Sequence, residues 1–453
     1  MNRRAGTSRS VLGRSKERSK GVKKRFGILT GGGDVPPLNV VIAAAAAEAE
    51  SLGVELIGFI RGWGGVLEND WVSLSVRMVP SSVGGTILKS SRTNIGKTVG
   101  GPDRALRVFT DLGLSGLIVI GGEDTLSNAF LLGSFPQALI SKTIDNDVGA
   151  AGAPDAAFEP EKILNYFTLG FPTAAEKIVS FVSLAEGLRT TAYSHERIVI
   201  VESMGMSEGW LALASGLGDP DLVIIPEFPV DIEALAARTL EIYARRKHAV
   251  IVVAEGAKWK DGTYIHAVED ENKEFDHPRF GGSSGALRDK LKERLSGRVD
   301  TRNLNAVNPS YLYRSGAPNV LDALWAEKLG KRAVRLLAEG ATGPNLLTIQ
   351  KSEEGFYPAE KPLSEFGSIE TLHRKVDRRF YDPAGFAMSE AGRRYMKEIV
   401  REIPDDPDYG LGRVTQERPA SAGKTGSPRP SLKTSLKEST NEFIPKRKSR
   451  SYG

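Results

Sequence analysis

The sequence contains no cysteine, only five histidines and no long apolar run. The absence of cysteine excludes disulfides, thiolate catalysis and cysteine-based metal sites. The histidines are scattered, which argues against a histidine-built metal cage. No apolar stretch approaches the roughly 20 residues that a membrane helix needs, and the basic N-terminus lacks the apolar core of a signal peptide. We therefore expect a cytoplasmic protein without membrane association.

Positive charge is concentrated at the two ends of the chain. Residues 1–25 hold ten Lys/Arg and one Glu, and residues 413–453 hold ten Lys/Arg and three Glu. Since the whole chain carries a net charge of +5, a net charge of −11 is left for residues 26–412. Both ends are rich in Ser and Gly, and the second also in Pro, which predicts disordered basic tails around an acidic body. Solvated extensions are the main interpretation of these tails, and weak docking to a polyanion such as RNA is the alternative.

The body alternates short apolar runs with longer helical patterns. Buried parallel strands are typically continuous Val/Ile/Leu runs, as these are, so the pattern predicts a doubly wound α/β fold. The predicted strands are 25–30, 54–60, 115–120, 137–142, 196–203, 220–226 and 248–255. The predicted helices are 38–53, 103–113, 173–189, 207–215 and 231–246.

Two glycine loops follow predicted strands, where ligands bind in such folds. In Gly31–Asp34, the glycines would let main-chain N–H groups approach a phosphate closely; a plain tight turn is the alternative. In Gly121–Thr125, the acidic members are explained if Mg²⁺ lies among them, with Glu123 as the candidate ligand. Helix capping by Glu123 and Asp124 is the alternative there.

The segment Lys142–Asp147 has the residue types that phosphoryl transfer to a hydroxyl requires. That reaction needs a carboxylate to accept a proton and cations on the phosphoryl group. Thr143 and Asp145 occupy alternate positions of an extended segment and can face the same side. We assign Asp145 as the candidate base, Asp147 as its partner near the metal, and Lys142 as a phosphate clamp. A turn-rich loop without chemistry is the alternative.

Nine short motifs, in order, resemble the phosphofructokinase family from about Phe26 to Leu347. They are GGGDVPPLN (31–39), GGTILKSSRTN (84–94), GGEDT (121–125), KTIDND (142–147), TLGFPTA (168–174), SHERIVIVESMG (194–205), VVAEGAK (252–258), YLYRSGAP (311–318) and RAVRLLAEGATG (332–343). The resemblance implies two Rossmann-like lobes with the active site in the cleft between them. The expected organisation is a donor-binding lobe over 26–170 with 315–350 as its candidate completion, a sugar-phosphate-binding lobe over 171–314, and a C-terminal helical extension over 351–412.

The resemblance also implies a role for each matching residue. Gly32, Gly122, Asp124 and Thr125 would bind the donor, with Arg92 on the transferring phosphate. Thr143 and Asp145 would hold and deprotonate the 1-hydroxyl of fructose 6-phosphate. The sugar phosphate would be bound by Arg197, Met204, Gly205, Met206, Glu255, Tyr311 and Arg314. In this family the counterpart of Arg197 commonly reaches across a subunit interface, which implies a homo-oligomer of two or four chains.

Two substitutions point to diphosphate as the phosphoryl donor. Members that use ATP typically have glycine at the positions of Asp124 and Lys142, which leaves room for the nucleotide. A carboxylate at the first position would repel the α-phosphate, and an ammonium at the second would hold a compact donor. The resemblance is therefore closest to the diphosphate-dependent enzymes of glycolysis and gluconeogenesis, whose reaction is reversible. An ATP-dependent 6-phosphofructokinase is the alternative.

Four positions differ from the usual pattern of the family. Pro37 replaces a residue near the first helix where glycine is common, and Lys89 also stands at a frequent glycine. Glu123 takes the place of a metal-binding aspartate, and Met206 takes the place of an arginine. These differences keep a second alternative open, a catalytically degenerate subunit that binds a sugar phosphate.

Overall fold

The apolar runs of the sequence form two mainly parallel sheets in the computed structural model, which describes residues 24–149, 159–267, 280–366 and 369–403. The strands are β1 Arg25–Thr30, β2 Glu55–Phe59, β3 Trp71–Leu74, β4 Gly116–Gly121, β5 Gln137–Thr143, β6 Leu169–Gly170, β7 Ile198–Ser203, β8 Leu222–Ile224, β9 Ala249–Ala254, β10 Leu304–Val307, β11 Pro344–Ser352, β12 Gly355–Pro362, β13 Tyr381–Asp382 and β14 Ala387–Met388. The α-helices are α1 Leu38–Ser51, α2 Trp63–Glu68, α3 Gly101–Asp111, α4 Glu123–Ser127, α5 Phe171–Val182, α6 Arg189–Ser194, α7 Trp210–Ala214, α8 Ile232–Arg246, α9 Ser283–Leu295, α10 Val320–Ala338 and α11 Glu390–Lys397.

The first sheet has the strand order β12-β11-β5-β4-β1-β2-β3, with β6 paired to the end of β5. Its central strands are parallel, and β3 and β12 close the two edges in antiparallel pairing. Helices α1 and α10 cross closely on one face, where a Cβ on Gly330 would lie 2.6 Å from the carbonyl oxygen of Val41. The ion pair from Arg335 Nε to Glu48 Oε1, 2.7 Å long, joins the same two helices.

The second sheet has the order β10-β7-β9-β8, and all of its neighbouring strands are parallel. Every residue of β7 and β9 is buried. The predicted α/β fold is therefore confirmed. The loops that contain the candidate site residues follow the carboxyl ends of its parallel strands. Between the sheets, the buried carboxylate of Asp322 at the start of α10 accepts the N–H groups of Gly170 and Thr173, at 2.8 and 3.1 Å.

Two regions differ from the sequence-based expectation. The single helix expected over 173–189 is divided into α5, which ends where Ser183 adopts an extended conformation, and α6, which begins at Arg189. The expected helical extension, over its described residues, consists of β12, β13, β14, irregular chain and the one α-helix α11.

The expected tails fall almost entirely outside the described residues. Within the first tail, Arg25 already belongs to β1, and its Nη2 pairs with Glu55 Oε2 at 2.9 Å. Over the described ranges, no helix combines the length and the apolar character needed to cross a membrane.

Candidate active site

The carboxyl-end loops of both sheets line one cleft of about 340 Å³. β1, β4 and β5 are neighbours in the first sheet, so their three loops lie side by side. The loops after β7 and β9 of the second sheet line the same cleft. The predicted site residues found in its lining are Gly32, Arg92, Gly122, Glu123, Asp124, Thr125, Lys142, Thr143, Asp145, Asp147, Met204, Met206, Glu255 and Arg314.

Three predicted site residues lie outside this lining. Gly205 is adjacent to it, and its N–H donates to Glu255 Oε1 at 3.3 Å. Arg197 is half-buried before β7, and its Nη1 donates to Thr191 Oγ1 at 3.2 Å. Tyr311 is exposed, with its ring 4.7 Å from the guanidinium carbon of Arg314. The described chain therefore does not bring Arg197 or Tyr311 into its own cleft.

The two glycine loops meet at the side chain of Thr125. A Cβ on Gly31 would lie 2.5 Å from Thr125 Oγ1, and a Cβ on Gly121 would lie 2.3 Å from Thr125 Cβ. Gly32 has a φ of 73°, a conformation that glycine adopts without steric cost. The packing leaves main-chain groups, rather than side chains, at this part of the cleft. Lys89, at a position where the family often has glycine, has a φ of 58°.

Lys142 lies under the first glycine loop. Its Nζ donates a hydrogen bond to the carbonyl of Gly33, and a Cβ on Gly32 would lie 3.3 Å from that Nζ. Burial, with a smaller contribution from Arg314, lowers the pKa of Lys142 to about 8. The ammonium is therefore poorly compensated within the protein, and an anion bound beneath the loop would stabilise it.

Asp145 and Asp147 form an acidic pair at the end of β5. Burial raises the pKa of both carboxyl groups, that of Asp147 to about 6, and Asp147 further raises the pKa of Asp145. Thr143 Oγ1 accepts the main-chain N–H of Asp145 at 3.0 Å, which places the hydroxyl beside the carboxylate. A carboxylate with a raised pKa is a stronger base than a solvated one, which suits proton removal from a hydroxyl.

The second sheet supplies a carboxylate, and the loop before α10 supplies a cation. Burial raises the pKa of Glu255 to about 7. Arg314 Nε lies 3.5 Å from Asp34 Oδ1, so this side chain reaches the glycine loop of the first sheet. The cleft thus offers Arg314, Lys142 and Arg92 to anionic groups.

Comparison with known proteins identifies the family of the chain. The family described as Phosphofructokinase matches residues 25–337.

The chain belongs to the phosphofructokinase family.

Curated relatives differ in the donor that their names specify. The chain is 38% identical over 366 residues to a pyrophosphate–fructose 6-phosphate 1-phosphotransferase of Dictyoglomus thermophilum, covering 80% of this chain and 97% of that protein. It is 37% identical over 326 residues to an ATP-dependent 6-phosphofructokinase of Streptomyces coelicolor, covering 70% and 89%. A pyrophosphate-dependent phosphofructokinase structure from Nitrosospira multiformis has a TM-score of 0.68 at 19% identity, covering 89% and 99%. At 19% identity, the likeness to the Nitrosospira structure shows the fold alone.

His373 and Glu208 line the cleft of this phosphofructokinase, and the sequence analysis did not identify them. His373 Nδ1 lies 3.0 Å from Glu123 Oε2, and its Nε2 lies 2.6 Å from Glu208 Oε1. Hydrogen bonds to these two carboxylates raise the pKa of His373 to about 10. His373 comes from a segment without helical or strand periodicity. The small number of histidines in the sequence is the one feature that could have singled it out.

Asp147 and Glu123 are the carboxylates of the cleft that could bind a cation. Among the residues that the structure describes, no three acidic or imidazole groups are arranged to hold a metal ion by themselves. Asp147 Oδ1 is buried without a hydrogen-bond partner, whereas Glu123 is engaged by His373. Magnesium in phosphoryl-transfer sites usually takes one or two carboxylates together with phosphate oxygens and waters. The residues present fit that kind of site.

Proposed function

We propose that this phosphofructokinase transfers a phosphoryl group from diphosphate to the 1-hydroxyl of fructose 6-phosphate. The products are fructose 1,6-bisphosphate and phosphate. Because transfer from diphosphate is close to energetically balanced, we expect the reaction to run in both directions and to serve glycolysis and gluconeogenesis.

The observation that carries the donor assignment is the position of Asp124 and Lys142 in one cleft. Asp124 is in the first turn of α4, directly after β4, and the Nζ of Lys142 lies beneath the loop after β1. A nucleoside triphosphate would bring its α-phosphate against a carboxylate, which is a repulsive contact. Diphosphate is shorter and would not reach the carboxylate of Asp124, and it would still pair with the ammonium group of Lys142. The similarity to the Dictyoglomus enzyme supports the same donor.

The proposed chemical step uses the acidic pair and the cations of the cleft. The carboxylate of Asp145 accepts the proton of the 1-hydroxyl as that oxygen bonds to phosphorus. The bond from phosphorus to the bridging oxygen of diphosphate breaks, and phosphate leaves with the electron pair. Lys142, Arg92 and Arg314 offset the negative charge of the phosphoryl groups. Mg²⁺, when bound, would neutralise charge on diphosphate, with the free Asp147 Oδ1 as the best-suited protein ligand and Glu123 as the alternative.

ATP-dependent transfer is the second candidate function. The 37% identity to an ATP-dependent enzyme of Streptomyces coelicolor favours it. The two candidates share the acceptor, the base and the cations, and they differ in whether Asp124 and Lys142 tolerate a nucleoside.

We also infer that the sugar-phosphate site is completed in a homo-oligomer. Arg197 and Tyr311 lie outside the cleft of their own chain, and Tyr311 is 66% exposed. A sugar phosphate needs fixed guanidinium donors, and a second copy of the chain is a natural source. Sedimentation of the purified protein tests this inference, which a monomer that binds fructose 6-phosphate at full strength would exclude.

The test of the reaction is a coupled assay on the purified protein with Mg²⁺ and fructose 6-phosphate. Diphosphate is expected to give fructose 1,6-bisphosphate, and phosphate with fructose 1,6-bisphosphate is expected to run the reverse reaction. Asp145→Asn should lower kcat by about 10²–10⁴-fold, the usual contribution of a general base, while fructose 6-phosphate binding persists. Binding of the sugar phosphate without turnover by any donor would reject catalysis and favour a binding subunit.

A further inference from the structure

Residues 371–376, here called the C-terminal strap, lie against the loop that carries Asp145 and Asp147. The N–H of Gly149 donates to the carbonyl of Leu372 at 2.7 Å, and the N–H of Arg374 donates to the carbonyl of Asp147 at 2.7 Å. Val148 and His373 form an antiparallel bridge. The strap thus binds the end of the loop as a short added strand. It comes from beyond residue 337, where the family match ends.

Arg374 occupies an unusual position for a guanidinium. Arg374 is 2% exposed, and its guanidinium donates hydrogen bonds to main-chain carbonyls rather than to a carboxylate. Nε and Nη2 donate to the carbonyl of Asn146 at 3.2 and 2.9 Å, and Nη1 donates to the carbonyl of Asn165 at 3.0 Å. The guanidinium also lies 5.0 Å from the ring centroid of Trp210. A buried charge is tolerated only when it is hydrogen-bonded in this way.

The carbonyl that Arg374 holds belongs to the residue between the two candidate catalytic carboxylates. Asn146 has a φ of 55°, a left-handed conformation that asparagine adopts more readily than most residues with a Cβ. Its side chain is held as well, because Nδ2 donates to the hydroxyl of Tyr395 at 2.8 Å and Oδ1 accepts the N–H of Thr168 at 3.1 Å. The main chain at Asn146 sets the directions in which Asp145 and Asp147 leave it. Arg374 and Tyr395 therefore act on the geometry of the acidic pair.

We propose that Arg374 is a positioning residue for phosphoryl transfer. By holding the Asn146 carbonyl, it keeps the carboxylate of Asp145 directed at the acceptor hydroxyl and that of Asp147 beside it. The inference rests on the proposed role of Asp145, but it holds for either donor. His373, the preceding residue of the strap, contacts Glu123 and Glu208 across the same cleft. The strap thereby contacts the carboxylates of Glu123 and Glu208 and the main-chain carbonyl of Asp147.

The test compares Arg374→Lys and Arg374→Met with Lys375→Met in the full-length protein. Lys375 is the next residue of the strap and is exposed, so its variant controls for the loss of a positive charge in this segment. Tyr395→Phe removes the hydroxyl that contacts Asn146 and the carbonyl of Tyr166, and it tests the support of Asn146 if the Arg374 variants fail to fold. Circular dichroism and thermal unfolding establish which variants are folded at the assay temperature.

Two readouts separate positioning from general stability. In folded variants, kcat should fall by about 10- to 100-fold, since a displacement of about 1 Å in a reacting group can cost 10²-fold. The KM for fructose 6-phosphate should stay within about twofold, because the proposed site binds the sugar phosphate mainly through groups other than the base. Arg374→Lys should recover part of the kcat lost in Arg374→Met, and Lys375→Met should match the wild type.

Hydrogen exchange of the segment 142–149 is the second readout and needs no turnover. Faster exchange there in the Arg374 variants, and not in Lys375→Met, is expected. If the wild type transfers from neither donor, the proposed function fails, and this measurement still decides whether Arg374 holds the loop. Wild-type exchange in folded Arg374→Met would overturn the inference, as would a wild-type kcat in a protein that is active.

Discussion

At the scale of single residues, we expect the charge of Lys142 to control the affinity for an anionic donor. Its pKa is lowered to about 8 mainly by burial, so the ammonium is present below that pH and is lost above it. A bound diphosphate favours the charged form and moves the titration to higher pH. The free enzyme and the donor complex should therefore respond differently to alkaline pH.

Loss of the Lys142 ammonium in the free enzyme predicts that kcat/KM for diphosphate decreases at alkaline pH. The value should fall up to about tenfold per pH unit above pH 8, whereas kcat at saturating diphosphate should fall only at higher pH, because kcat/KM reports the free enzyme and kcat the complex. Initial rates between pH 6.5 and 10 measure both quantities.

Lys142→Met is the control for this pH profile, since it keeps the length of the side chain and removes the charge. It should lose most of kcat/KM and the limb near pH 8. A limb that persists unchanged in the variant would belong to the substrates and would contradict the assignment to Lys142.

At the scale of elements, the buried carboxylate of Asp322 joins α5 to α10. It accepts the N–H groups of Gly170 and Thr173 together with the hydroxyl of Thr173. α5 begins at Phe171 without a side-chain cap of its own, so a carboxylate from another helix satisfies its first N–H groups.

Asp322→Ala should therefore lower the free energy of unfolding by about 3 kcal/mol or more, because it leaves three buried donors without this acceptor at about 1–3 kcal/mol each. Asp322→Asn, which keeps the volume and one acceptor oxygen, should lose less. Chemical denaturation measures both variants. Equal stability of the alanine variant and the wild type would show that these hydrogen bonds contribute nothing net.

The elements that sequence reasoning located correctly are those with a strong local signal. β4, β7 and β9 contain long apolar runs and β5 a shorter one over 138–140, and each strand lies within about two residues of its predicted bounds. The glycine and acidic loops follow these strands, so much of the cleft was foreseen from parallel-sheet geometry alone.

The strap could not be located in this way, because its contacts are long-range. Arg374 and Asn146 are 228 positions apart, and the strap carries neither helical nor strand periodicity. The same reason explains why His373 was missed. The division between α5 and α6 arises where Ser183 adopts an extended conformation, and the composition gives no indication of that change.

At the scale of the whole molecule, catalysis is assigned to the acidic body and not to the basic ends. The lining of the cleft extends from Gly32 to His373, and Arg25 is already part of the first sheet. A chain lacking residues 1–23 and 413–453 should keep kcat and both KM values within about twofold, since long-range attraction by exposed charges is largely screened at physiological ionic strength. Steady-state rates of the shortened and full-length proteins measure this. Loss of activity on shortening would instead favour a polyanion-dependent role for the ends.

The central claim is that Asp124 and Lys142 select diphosphate over a nucleoside triphosphate. The most direct test is the ratio of kcat/KM for diphosphate to kcat/KM for ATP, in the wild type and in the Asp124→Gly/Lys142→Gly double variant. Since like-charge contacts cost several kcal/mol, the wild-type ratio should exceed about 100. In the double variant, kcat/KM for ATP should rise and the ratio should fall at least about tenfold. A wild type that prefers ATP, or a double variant that uses ATP no better, would contradict the claim.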